Sequence, residues 1–444
     1  MRDLAKRVVS VVALSVMLAA QIASAQVDDR IAIVALVADG FRSGDFSPAF
    51  ARFDPAMRRA LPEHKLGELR TALDAQIGSL RSCAAPRSAR VAAHVVMRAA
   101  CTFERASLDL VVTFDGDDRI AGLRVVPSET TPTPAPPTVA MEKLVQREVT
   151  IGAGEWALPG TLTLPNGGGP FPAVVLVHGS GPHDRDQTIG PNRPFLDLAE
   201  GLGARGIAVL RYEKRTKAHG AKLVALTSFT VNEETVDDAV HAIGVARAAE
   251  GVDPARVFVL GHSLGGMLAP RIAQRAPALA GVVILAGTAR PLQRVLEDQL
   301  AYLEGLESDE AARAQIRSMK LEAARIDAVT PQTTGLVFGA PAAYWLDLAT
   351  YDPAATALAL PQRLLVLHGE RDYQVTAADY STWRAALADR RDTQLRSFAQ
   401  LNHLFIAGEG RSTPAEYQTA GRVADAVIDD IAAFVMQGSG ALTD

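Results

Sequence analysis

The spacing of apolar positions changes character along the chain. From Asp28 to about Leu80 apolar residues recur every three or four positions, in IAIVALVADGF, SPAFARFDPAMRRAL and KLGELRTALDAQIGSL. That period puts them on one buried helical face and predicts helices. From Ala89 the runs RVAAHVVMRAACTF, SLDLVVTF and RIAGLRVV are β-branched and partly alternating, which predicts strands. DGDD at residues 115–118 reads as the turn of a hairpin between the last two. Helices followed by a meander make a small α+β domain over residues 26–127. SETTPTPAPPT then breaks all periodicity, and its prolines and threonines suit an extended linker over residues 128–142.

Beyond the linker, over residues 143–444, strand and helix patterns alternate. EVTIG and LPGTLTLP suit an antiparallel pair. FPAVVLVHG, GIAVLRY, RVFVLGHS, GVVILAG and RLLVLHG are short continuous apolar runs, as strands buried on both faces tend to be. Helical stretches such as TVDDAVHAIGVARA separate them, and TQLRSFAQ follows as a last strand. Repeated β-then-α units predict a mostly parallel sheet with helices on both faces. One spacer, about residues 288–360, is too long for a simple crossover. It holds two helical patterns and the aromatic patch PAAYWLDL, and is read as a cap inserted after a strand; plain scaffolding is the alternative.

The N-terminus has a different texture again. MRDLAKR is basic, VVSVVALSVMLAA is apolar, and Ala23-Ser24-Ala25 has the small-x-small form of a cleavage site. Residues 1–25 therefore read as an export signal, with periplasmic or secreted localisation and no stable membrane insertion after cleavage. The 444-residue length predicts more than one domain. With 45 basic and 50 acidic side chains there is no charge excess to draw nucleic acid. The two cysteines, Cys83 and Cys101, suit a disulfide in an oxidising compartment, with buried free thiols as the alternative.

Chemistry concentrates around Ser263. A Gly-x-Ser-x-Gly string is weak by itself, but here VFVL runs in as a strand and MLAPRIAQRA runs out as a helix. A sharp strand-to-helix turn of this kind exposes the serine, and Gly261 and Gly265 make room for neighbouring backbone. The following helix places its positive end beside developing negative charge. Serine needs a base and the base an acid, in the chain order Ser, Asp or Glu, His. Of nine histidines only His368 and His403 follow Ser263. His368 ends the strand LLVLHG, with Asp372 just beyond it, which leaves His403 as the base for an Asp372 acid.

An oxyanion hole needs backbone N–H groups. Leu264, after the nucleophile, supplies one; the loop in VVLVHGSGP supplies the other at Ser180, or at Gly181 as the fallback. Ser180 has no glycine at elbow spacing and so is not read as a rival nucleophile, and His178 is read as bracing its loop. PHDRDQTIGPN, with His183 to Asp186, reads as a charged rim loop pinned by internal pairs; no HExxH or Cys/His cluster supports a metal site. Arg211, Lys214 and Arg215 in RYEKRTK read as structural ion pairs, with orientation of an anionic substrate as the alternative. Isolated His64 and His94 read as surface or packing residues.

From about residue 145 onward the chain resembles the α/β-hydrolase superfamily. HGSGPHDRDQTIGPN, RYEKRT, GHSLGG, HGERDYQV and LNHLF together resemble exported bacterial serine esterases of the EstD type, which carry a small N-terminal domain ahead of the hydrolase. The resemblance implies an eight-stranded, mostly parallel sheet and carboxylester hydrolysis, with Ser263, Asp372 and His403 at the triad positions. One departure is Glu213, where Asp is expected. The N-terminal domain more distantly resembles cystatin-like or nuclear-transport-factor-like modules. The expected activity is hydrolysis of small carboxylic esters without a cofactor, with Tyr344 and Trp345 of the insertion as pocket-lining residues if it folds over the site, and core packing of the cap as the equal alternative. Peptidase, amidase or acyltransferase action on the same triad stays open, as does ligand binding in the envelope through the N-terminal domain. Nothing in the sequence speaks to oligomeric state.

Overall fold

The computed structural model describes residues 29–91, 94–104, 107–127, 144–226 and 228–437. The expected export signal (1–25) and linker (128–142) lie outside them. The chain forms two compact units that divide between Pro136 and Pro137. No helix among the described residues is long and apolar enough to cross a membrane.

In the smaller unit, helices at residues 29–43 and Glu63–Ile77 accompany five strands: β1 (Leu80–Cys83), β2 (Arg87–Val91), β3 (His94–Phe103), β4 (Ser107–Phe114) and β5 (Ile120–Pro127). All of these strands pair antiparallel, in the order β1-β3-β4-β5, with β2 also on β3. Three strand-like runs in the sequence thus become five strands. RVAAHVVMRAACTF divides into β2 and β3, and Leu80–Cys83, the tail of a helical pattern, pairs with the far end of β3. Alternate residues of β3 (Val95, Met97, Ala99, Cys101, Phe103) face Ile33, Val34, Val37 and Phe41 in a single core. Cys83 and Cys101 are register partners on β1 and β3 and are joined by a disulfide. His94 bonds the Phe114 carbonyl through Nδ1 (3.2 Å), a packing role.

The larger unit contains β6 (Leu144–Ile151), β7 (Leu158–Pro165), β8 (Phe171–Val177), β9 (Ala208–Tyr212), β10 (Val252–His262), β11 (Gly281–Leu285), the short hairpin β12 (Leu336–Val337) and β13 (Ala340–Pro341), β14 (Arg363–Gly369) and β15 (Thr393–Phe398). Eight of them form one sheet in the order β15-β14-β11-β10-β8-β9-β7-β6, parallel from β15 to β9 and antiparallel at β7. The period of two divides each central strand between two cores. Val175, Val259, Ile284 and Val366 lie in one; Leu176, Leu260, Val283 and Leu365 lie in the other. Helices Asp237–Ala248 and Leu264–Arg275 cover the first face, and Pro194–Ala204 and Asp425–Met436 the second. A strand buried on both sides has no polar face, which is why these runs are continuously apolar.

From β8 the chain goes to β9 on one side and later to β10 on the other. That reversal opens a crevice beyond the carboxyl ends of β8 and β10, where ligands of such sheets bind. The long insertion between neighbouring β11 and β14 folds as helices Leu292–Leu306, Glu310–Ala324, Ala342–Ala349 and Pro353–Leu358 with the β12–β13 hairpin.

Candidate active site

β10 ends at His262 and a helix starts at Leu264, leaving Ser263 alone in the turn at φ 56° and ψ −119°. Side chains rarely tolerate that backbone, and the surroundings hold it: Ser263 N–H donates to Leu285 O (3.0 Å) and Met267 N–H to Ser263 O (2.9 Å). Glycine on either side is a steric requirement. A Cβ at Gly261 would stand 2.0 Å from Gly265 O, and one at Gly265 would stand 2.3 Å from Val177 O. Without that Cβ the helix closes onto the end of β8, so the loop after β8 lies beside the serine. A Cβ on Gly179 would be 3.1 Å from Ser263 Cβ.

Asp372 stands in the turn after β14, its N–H bonded to Gly369 O (3.0 Å). Its Oδ1 accepts the amides of Gln374 (2.7 Å) and Val375 (3.1 Å), and its Oδ2 meets His403 Nδ1 at 2.6 Å. Both side chains are buried. With Nδ1 donating to the carboxylate, the His403 tautomer leaves Nε2 as the basic atom. The loop carrying His403 is braced by Asn402 Oδ1, which accepts from Leu404 and Ile406 N–H (3.0 and 3.1 Å).

His262 links the two halves. Its Nε2 donates to His403 O (2.9 Å), its Nδ1 accepts from Gln187 Nε2 (2.8 Å), and the two imidazoles are 4.7 Å apart. Burial, reinforced by His403, pushes its pKa well below the usual histidine range, so it is neutral and the single tautomer satisfies both bonds. Gln187 in turn accepts Gly179 N–H on Oε1 (3.0 Å) from a left-handed backbone at φ 51°. One buried amide thus ties the loop after β8 to the histidine preceding Ser263.

The same loop carries the expected oxyanion donors. Lys214 Nζ donates to Gly179 O (2.7 Å), His183 Nε2 to Ser180 O (2.7 Å) and Thr216 Oγ1 to Gly181 O (3.0 Å). Among the described residues neither the Ser180 nor the Leu264 amide donates to a protein acceptor; Leu264, first in its helix, has no carbonyl one turn back. Burial, with the charge of Lys214 adding to it, pushes His183 down to about 4, and His178 well down as well.

A model described as "Alpha/beta hydrolase family" matches residues 174–435, which include every one of these groups. The chain belongs to the alpha/beta hydrolase family. Esterase EstD of Thermotoga maritima is 40% identical over 397 residues, 89% of this chain and 92% of that protein. Among solved structures, Est1E from Butyrivibrio proteoclasticus has 15% identity and a TM-score of 0.43, covering 65% of this chain and 97% of its own. An esterase from Pyrococcus furiosus has 13% and 0.42, covering 66% and 90%. Residues 35–123 match "Protein of unknown function (DUF3887)".

Of the two aromatic residues expected at a pocket or in the core of the cap, Tyr344 is 7% and Trp345 5% exposed. Both are buried in the core under the insertion, where Tyr344 donates its hydroxyl to Glu234 (2.9 Å) and Trp345 its Nε1 to Val337 O (2.7 Å). The basic residues after β9 make internal pairs: Arg211 with Asp186, Lys214 with Glu234 (2.9 Å) and Arg215 with Asp238. In the charged loop, Arg185 pairs with Glu148 (2.8 Å) and Glu213 (3.2 Å), so Glu213 at the departing position has a partner. His178 bonds Asp184 O through Nε2 (2.9 Å). Among the described residues no group of three or more His, Cys, Asp or Glu could hold a metal.

Gln187 and His262, which brace the candidate site, are not legible in the sequence. Each works by hydrogen bonds to residues far away in sequence, and only the DRDQ stretch hinted at a structured loop.

Proposed function

We propose that this hydrolase is an exported serine esterase acting on small carboxylic esters through Ser263, His403 and Asp372. Ser263 Oγ adds to the ester carbonyl while His403 Nε2 takes its proton, and the carbonyl π pair moves onto oxygen, facing the amides of Ser180 and Leu264. Collapse breaks the bond to the alkoxy group, which leaves with the proton from His403 as the alcohol. Water then repeats the sequence on the acyl-enzyme and releases the acid. Asp372 holds the imidazole in the required tautomer and balances its transient charge.

The observation carrying this reading is the buried Asp372–His403 pair at 2.6 Å, with His403 O bonded to His262, the residue preceding a serine in strained elbow geometry. Forty percent identity to a protein named an esterase supports the substrate class. The test is Ser263→Ala assayed on short-chain aryl esters. Activity should fall by about four orders of magnitude or more with circular dichroism unchanged. Near-wild-type hydrolysis in a folded variant would overturn the assignment, and faster turnover of matched amides than esters would make it an amidase.

A further inference from the structure

Lys214 is buried, and its ammonium is bonded to protein groups. It donates to the Gly179 carbonyl (2.7 Å) and pairs with Glu234 Oε1 (2.9 Å). Tyr344, from the insertion, donates to the other oxygen of Glu234 (2.9 Å), and Glu234 sits in a π-helical turn, Asn232–Val236, an irregularity frequent at functional sites. A buried ion pair is a poor way to gain stability, since desolvation offsets most of the attraction. What distinguishes this one is its target. The Gly179 carbonyl and the Ser180 N–H belong to the same peptide group, and in a planar trans peptide they point in opposite directions. Fixing the oxygen therefore fixes the N–H. A cation on the oxygen also withdraws electron density through the amide and makes the N–H a stronger donor. On the other side Gln187 accepts Gly179 N–H (3.0 Å), so rotation of the loop is blocked from both ends.

We propose that Lys214 is a positioning residue of the oxyanion hole, which orients and polarises the Gly179–Ser180 peptide, and that Glu234, itself bonded by Tyr344 of the insertion, holds it in place. The assignment rests on the serine-esterase reading above. It predicts that Lys214 acts on the tetrahedral oxyanion and little on the bound ester.

The experiment uses the full chain carrying Lys214→Met, the charge-neutral pair Lys214→Met/Glu234→Gln, and Tyr344→Phe, each checked for folding by thermal melting. Kinetics on p-nitrophenyl acetate are combined with inhibition by an aryl trifluoromethyl ketone, which adds Ser263 Oγ to form an oxyanion, and by the matching methyl ketone, which does not. Either Lys214 variant should lower kcat by about tenfold or more with KM within about threefold. The trifluoromethyl ketone should weaken by a similar factor and the methyl ketone should not. Tyr344→Phe, which removes no charge and keeps the test open should the others unfold, should give the same pattern at about threefold. Unchanged kcat and trifluoromethyl ketone affinity in a folded variant would overturn the proposal, and so would parallel loss for both ketones, which marks general distortion. Ser263→Ala run alongside separates the failures. If it stays active, the esterase reading itself falls; if it is inactive while the Lys214 variants behave as wild type, only the role of Lys214 falls.

Discussion

The two units solve the burial problem with different sheets, and the difference marks where chemistry can be placed. The smaller unit has an antiparallel sheet with one core, and a disulfide supplements that limited burial. The larger has a parallel sheet buried between two cores. Among the described residues Asp109 is the one buried charged or polar residue in the smaller unit, where it pairs with Arg98 (3.1 Å). The larger unit buries His178, Lys214, Glu234, His262, Asp372 and His403 around one crevice. Buried ionisable groups are costly unless they are paired, and a large two-faced core is what can carry them in fixed positions.

That comparison can be broken in four places. The largest effect is expected from Asp372→Asn, which keeps the shape but favours the wrong His403 tautomer. Ester hydrolysis should drop by about 10⁴-fold with the melting curve little changed. Next is backbone contact. Gly265→Ala puts a Cβ 2.3 Å from Val177 O, so the helix must shift; activity and melting temperature should fall together, by about 3 kcal/mol or more of stability. Gly116→Ala in the smaller unit meets nothing within 4 Å and should stay within about 0.5 kcal/mol. If the two alanine variants melt alike, backbone approach is not what shapes the elbow.

Third, Cys101→Ala removes a bridge spanning 18 residues and should cost the smaller unit about 3 kcal/mol, read by limited proteolysis with and without reductant. The smallest effect is acid sensitivity of the larger unit. Burial holds His183 at about 4, below its unfolded value of about 6.5, so the unfolded chain binds the extra proton between those values. Stability from this residue is full above about pH 6.5 and is lost as pH falls toward 4. Comparing unfolding at pH 7 and pH 5, His183→Asn should lose about 2 kcal/mol less than wild type. Equal losses would exclude His183 as a contributor.

Local pattern alone determined much of this protein. Continuous apolar runs identified the parallel sheet, because a strand covered on both faces has nowhere to put polar residues. The glycines around Ser263 identified the elbow, because close backbone approach excludes a Cβ at positions two residues either side of it. Chain order left His403 as the partner of Asp372. What only the tertiary structure decided are matters of distance across the chain. Leu80–Cys83 became a strand because the end of β3 offered it a ladder. Tyr344 and Trp345 went into the core because the insertion packs that helix against the sheet face. Gln187, His262, Lys214 and Glu234 became one network around Gly179 because the crevice between β8 and β10 brings four separate segments within hydrogen-bond reach, a proximity that no periodicity or spacing encodes.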